Sequence, residues 1–330
     1  MYNRTRGTRS AVVFSFVATA GLLLGSAAAR AQVDEGFNAQ NFQPPIDPFG
    51  YVVTNGARSL DPGQVFIAAY ADVAEHPLDL RDIREGVIDE MTFVHGVLSV
   101  GLLRIGEKGG LSAGIVVPYA AEMDGYGRDP DAGDPASVTP PRVELPDGRL
   151  ADIRGELKLV MLDRSEVMGV ALRGFGIAPT GEDKYFLSND EHFGGGGGMI
   201  LEKEFSWLRL GVEADYEWIQ GRTVISQVRF VEEGDPEPKL LTVDDKLHLR
   251  AGAAVQLFFE DLWLVADAHH WARATNLYNA RRESPIEVGG ALRFDRRFLV
   301  VVGASTGMLN EGAVGAPDWR FFGSVGITFF

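Results

Sequence analysis

The sequence predicts an all-β protein: a closed antiparallel transmembrane β-barrel of about 12 strands, with short periplasmic turns and longer extracellular loops. Three observations carry this. Segments beyond residue 62 alternate apolar and polar residues with a period of two, not 3.6. Their connections are short and long in turn. One face of each segment is almost free of charge, and aromatic residues gather at segment ends.

Residues 1–31 read as a secretory signal peptide. Arg4, Arg6 and Arg9 form a basic start, an apolar stretch runs from Ala11 to Ala29, and Ala29-Arg30-Ala31 supplies a small-x-small cut before Gln32. No later window of about 18 apolar residues could form a spanning helix. Residues 32–62 carry Phe37, Phe42, Pro44-Pro45, Pro48, Phe49 and Tyr51. That is too apolar for an idle tail and too proline-rich for a helix. We expect a periplasmic leader that is either a plug tucked into the periplasmic mouth or a loosely ordered segment, followed by the barrel over 63–330.

Strands are expected near 63–75, 87–102, 110–119, 151–162, 168–179, 194–205, 208–220, 245–258, 262–275, 285–294, 297–309 and 319–329. Most are near the 9 to 11 residues that a tilted strand needs to cross a bilayer. Short connections at Leu103–Gly109, Asp163–Val167, Ser206-Trp207, Phe259–Asp261 and Asp295-Arg296 alternate with longer ones, notably Ala120–Leu150 and Gly221–Asp244. A soluble sandwich gives no reason for this rhythm. A barrel does, and the count places the two ends of the strand array on the periplasmic side. Within the fourth long connection, residues 224–231 are expected to extend as a hairpin. Gly194–Gly198 removes inward bulk from the sixth strand, as at a bend or where another backbone approaches.

If the apolar rows face lipid, the polar rows face a lumen. Arg154, Glu156 and Lys158 share a face of the fourth strand, and Arg173 belongs to the fifth. On the seventh, Arg209, Glu213, Asp215 and Glu217 alternate with Leu208, Leu210, Val212, Ala214, Tyr216 and Trp218. Lys246, His248 and Arg250 follow on the eighth, Asp267, His269 and Arg273 on the ninth, and Glu287 and Arg293 on the tenth. Folding the hairpins pairs Asp267 with Arg293, Arg273 with Glu287, Asp215 with Arg250, Glu217 with His248, and Glu156 with Arg173. Such pairs either fill and rigidify the barrel or line a wet path. Trp207, Trp218, Phe258, Trp263, Trp319 and Phe329 are expected in the aromatic girdles. The last strand, Trp319–Phe330, ends on an aromatic pair, with its apolar row in register with Phe329.

A formal charge of −15 argues against nucleic acid. The absence of cysteine excludes disulfides, thiolate metal sites and a cysteine nucleophile. His269 and His270 are adjacent on one strand and point to opposite faces, so they cannot share a metal ion. G-x-S-x-G, H-E-x-x-H and the P-loop are all absent. Asp129, Asp131 and Asp134 lack EF-hand spacing and read as a solvated acidic loop. No cofactor, no metal and no enzymatic activity are expected.

Three features carry a family likeness: Phe37-Asn-Ala-Gln-Asn-Phe42, Ala178-Pro-Thr-Gly-Glu182 and the closing aromatic strand. With them the chain resembles the N-terminal barrels of OmpA-family proteins and the putative outer-membrane transporters grouped with phenol degradation. It departs from the former in having no peptidoglycan-binding domain after the barrel. The resemblance implies a Gram-negative outer-membrane barrel in contact with outer-membrane lipid and the barrel-assembly machinery. Its expected role is a passive channel or transporter for small solutes through a charge-lined lumen. The alternative is a closed structural or surface-interaction barrel with working outer loops.

Overall fold

The computed structural model describes residues 39, 41–80, 85–128, 142–182, 185, 187–188, 193–219, 223–230, 239–243, 245–274, 285–308 and 316–329. The chain divides into two compact units, residues 1–31 and 32–330. The segment read as a signal peptide (residues 1–31), residues 32–38 and the acidic segment 129–141 lie outside the described residues.

Twelve strands close into an antiparallel barrel. They are β1 (Val65–Leu80), β2 (Glu85–Ile105), β3 (Gly109–Arg128), β4 (Ile153–Leu162), β5 (Gly169–Ala178) and β6 (Gly194–Glu204). The second half comprises β7 (Leu208–Ile219), β8 (Lys246–Gln256), β9 (Leu262–Arg273), β10 (Ile286–Asp295), β11 (Phe298–Met308) and β12 (Trp319–Phe329). Each strand pairs with its sequence neighbours, and β1 with β12 completes the ring. Closure removes the open edges of the sheet, the condition for a sheet in hydrocarbon. Residues Thr223–Phe230 and Lys239–Val243 form the separate hairpin expected in the fourth long connection.

Period-two alternation sets the faces. On β7, Leu210, Val212 and Tyr216 are exposed, while Arg209, Glu213, Asp215 and Glu217 are buried. On β8, Leu249 is exposed beside buried His248 and Arg250. A water-soluble barrel would show the opposite pattern. Trp207, Phe258, Trp319 and Phe329 are exposed, and Trp218 is half-buried.

The structure departs from expectation in three respects. First, β1 and β3 run well past their expected outer ends and β2 begins two residues early, so only residues 81–84 separate β1 from β2. The short–long rhythm fails there because the outer connection is itself mostly strand. Second, Trp263 faces inward and is 8% exposed, with the Arg209 guanidinium 4.0 Å from its ring centroid. It shares the parity of Asp267 and His269, and on a strand parity decides the face. Third, the β9–β10 hairpin is shifted by four residues. Asp267 pairs with Gly289, His269 with Glu287, and Trp263 with Arg293.

The barrel interior is a packed core. Inward Phe66, Tyr70, Val97, Val116, Val265, Leu299, Val301 and Phe322 form one apolar cluster with leader residues Phe42, Ile46, Tyr51, Val52, Val53 and Leu60. The Gly194–Gly198 run serves its strand neighbours: a Cβ on Gly196 would meet Phe175 Cζ at 2.5 Å, and one on Gly198 would collide with Asp215.

Candidate functional site

The leader runs inside the barrel. Ala39 packs with Ile88, Met91, Met123 and Ile219 near the outer strand ends, whereas Asp61 pairs with Arg104 near the inner end of β2. Between them Ile46, Asp47, Thr54, Ala57 and Leu60 are each at most 1% exposed. Three prolines and an irregular backbone keep this segment from pairing as a thirteenth strand. Its buried backbone groups therefore need partners elsewhere. Inward side chains of the wall supply many of them.

The β9 carboxylate of Asp267 accepts from three successive leader amides, Val52 (2.9 Å), Val53 (3.1 Å) and Thr54 (3.1 Å), and from the Thr54 hydroxyl at 2.9 Å. Glu213 of β7 accepts from the Asn55 amide at 2.8 Å. Glu202 of β6 accepts from the Ala57 amide (2.6 Å) and the Tyr51 hydroxyl (3.1 Å). Cations take the leader carbonyls. Arg293 donates to Pro48 and Gly50, Arg154 to Pro44 at 2.8 Å, Lys158 to Gly56 at 3.0 Å, and Arg164 to Phe49 at 3.2 Å. Lys158 also pairs with Asp47 of the leader, both side chains fully buried. The Tyr51 ring fills the space that Gly211 and Gly252 leave on neighbouring strands; a Cβ on Gly211 would sit 2.7 Å from it.

Other interior charges pair among themselves. Arg173 bonds Glu213 and lies 3.2 Å from Glu156, while Arg250 bonds Asp215 and lies 3.1 Å from Glu213. Arg250 sits opposite Glu213, two residues from its expected partner, and reaches Asp215 diagonally. His248 Nε2 is 3.4 Å from Glu217, and His248 Nδ1 lies 3.0 Å from His269 Nε2. Glu287 accepts from Arg320 at 2.9 Å and from Ser305 at 2.5 Å. Lys246 and Arg273 are only half-buried and face each other across β8 and β9.

Sequence reasoning missed several inward groups: Asp72, His95, Glu202 and Arg320, together with Arg164 in the β4–β5 turn. His95 lies 2.9 Å from Asp72, which Arg320 also contacts at 2.5 Å. Parity with Phe66 and Tyr70 marks Asp72, and parity with Phe322 and Ser324 marks Arg320. Arg164 follows no strand parity. Burial alone would lower its pKa, but Glu202 and Glu204 overcome that and raise it. A buried charge among partners costs little only while they remain in place. The arrangement can thus hold an irregular chain in the lumen and exclude water from it. Among the described residues no group of three or more His, Asp or Glu side chains is placed to hold a metal ion.

No protein-family model matches the chain, and no curated protein matches it. Among solved structures it is similar to the COG4313 outer membrane channel from Pseudomonas putida F1. The match has 11% identity over 83% of this chain and 98% of that one, with a TM-score of 0.54. Lower TM-scores relate it to a NanC porin (0.43; 10% identity; 81% of this chain and 99% of that one) and to the β domain of the Bordetella autotransporter BrkA (0.42; 13% identity; 82% and 100%). At these identities the likeness is one of architecture: the chain has the fold of a 12-strand outer-membrane barrel.

Proposed function

We propose that this protein is an outer-membrane channel or transporter for small solutes whose lumen is closed by its own leader. The carrying observation is how residues 41–61 are held. Wall side chains grip the leader's amides and carbonyls, and the barrel is complete without it. A stopper bound through side chains can leave without breaking the sheet. The uncharged outward rows suit outer-membrane lipid, and the signal-like start of the sequence fits export to that membrane of a Gram-negative cell. Assembly by the cell's barrel-folding machinery follows from that location. No catalytic role is assigned to the interior histidines, because His269 hydrogen-bonds His248 and packs against Trp271 in a tilted pair with ring centroids 4.7 Å apart.

Conductance in planar bilayers tests the reading. The whole chain is expected to be largely silent, and a variant lacking residues 41–60 is expected to give steady open steps. Silence from a folded deletion variant would favour the second reading, a closed structural barrel. The apolar cluster that fills one side of the lumen supports that alternative.

A further inference from the structure

At the outer end of the barrel, a cavity of about 60 Å³ lies against the first turn of the leader. Its charged lining comes from three strands and the residue before β4: Arg154, Glu217, Lys246 and Asp152. Phe42, Pro44 and Ile177 supply an apolar wall. Arg154 and Glu217 keep buried atoms without a hydrogen bond, as several deeper charges do, but here those atoms belong to residues that line a cavity. Lys246 and Glu217 occupy directly paired positions on β8 and β7, yet they form no ion pair with each other. Lys246 has no hydrogen-bond or ion-pair partner among the described residues. Glu217 lies 3.4 Å from the His248 nitrogen, and its Oε2 is buried without a hydrogen bond. Arg154 spends one nitrogen on the Pro44 carbonyl, and its Nε is buried without a hydrogen bond, 3.7 Å from Glu156. Buried polar atoms normally find partners, so two such atoms, Arg154 Nε and Glu217 Oε2, with half-buried Lys246 beside them at one cavity, point to an occupant.

The chemistry of the lining selects the occupant. Two acids and two bases leave no net formal charge. A simple anion would sit beside Glu217 and Asp152, and a simple cation beside Lys246 and Arg154. Asp152 is already engaged, accepting from the Thr180 and Gly181 amides at 3.1 and 3.2 Å. A ligand with both signs a few bonds apart satisfies Lys246, Arg154 and Glu217 together. Directly paired positions on antiparallel strands are about 5 Å apart, which suits the poles of an amino acid. At about 10 to 15 Å³ per water-sized position, the cavity takes roughly five heavy atoms, the size of glycine or alanine.

We propose that this outer cavity is a binding site for a small amino-acid zwitterion. The carboxylate accepts from Lys246 and Arg154, the ammonium donates to Glu217, and any methyl group lies on Phe42 and Ile177. This names a substrate class for the channel proposed above and rests on that reading.

Ligand-observed NMR titration of the full mature chain in micelles, with alanine as the probe, tests it. Saturable binding with a dissociation constant near millimolar is expected, about the strength that six heavy atoms can supply. Lys246→Met and Glu217→Gln should each weaken binding at least tenfold, while heat-modifiable gel mobility stays as in the parent. Acetate and ethylamine, which carry one pole each, should bind at least tenfold more weakly than alanine. No alanine binding to folded protein, acetate binding as well as alanine, or alanine binding unchanged in Lys246→Met would each overturn the proposal. The two readings fail separately. If the leader-deleted barrel conducts but the intact chain does not bind alanine, only the zwitterion site is lost. If alanine binds but the deleted barrel stays silent, only the channel reading is lost.

Discussion

Replacing Asp267 by alanine removes one acceptor from four leader donors: the amides of Val52, Val53 and Thr54, and the Thr54 hydroxyl. A hydrogen bond to a charged group contributes about 1.5–3 kcal/mol net. Three of the four donors share one oxygen, so their contributions do not simply add. A loss of about 4 kcal/mol in leader docking is a fair central figure, and it corresponds to roughly a thousandfold shift toward the undocked leader. The chain contains no cysteine, so a single Val53→Cys gives a unique reporter at a side chain only 8% exposed when docked. Labelling by a water-soluble maleimide then proceeds only through undocking. Adding Asp267→Ala should speed labelling by about three orders of magnitude while the strands stay folded. Equal rates in the two backgrounds, with unchanged heat-modifiable mobility, would refute the claim that Asp267 holds the leader.

Gly252→Val pushes a side chain into the space of the Tyr51 ring. It should loosen the leader by about 1–3 kcal/mol in the same labelling assay, with barrel assembly retained. Lys158→Met strands Asp47 in the interior and should cost about 3–5 kcal/mol of docking, read as a fall in the urea midpoint for Val53→Cys labelling. Adding Asp47→Asn should recover most of that loss. Raising sodium chloride to about 0.5 M should leave the labelling rate of the parent nearly unchanged, because the pairs are buried and salt screens them poorly. In single-tryptophan variants, brominated lipid should quench Trp207, which is 57% exposed, and spare Trp263, at 8%.

Strand parity made most of the architecture readable in advance. Once Leu210, Val212 and Tyr216 are seen to alternate with Glu213, Asp215 and Glu217, the two faces of β7 follow, and the same rule extends along the barrel. Trp263 shows the rule being overridden by a weaker habit. Its position near a strand end suggested a girdle, but its parity with Asp267 placed it inside. Register was less accessible. The β9–β10 hairpin slipped by four residues because the extent of its connection is not written in the alternation. The grip on the leader was least accessible of all. Asp267 and Val52 are 215 residues apart, and nothing local to either marks the other. The only trace is subtractive: Gly211 and Gly252 are inward glycines at paired positions, which leaves room for a ring from elsewhere. Asp267 and Arg293 were expected to satisfy each other across the hairpin, but both are occupied by the leader.

Amide hydrogen–deuterium exchange on the unmodified protein in lipid bears most directly on whether the lumen is occupied. The amides of Val52, Val53, Thr54, Asn55 and Ala57 should exchange as slowly as those of the membrane-spanning strands, because each ends on a buried carboxylate. Exchange of these five at the rate of an unfolded peptide, alongside protected strands, would mean that the leader lies outside an open barrel.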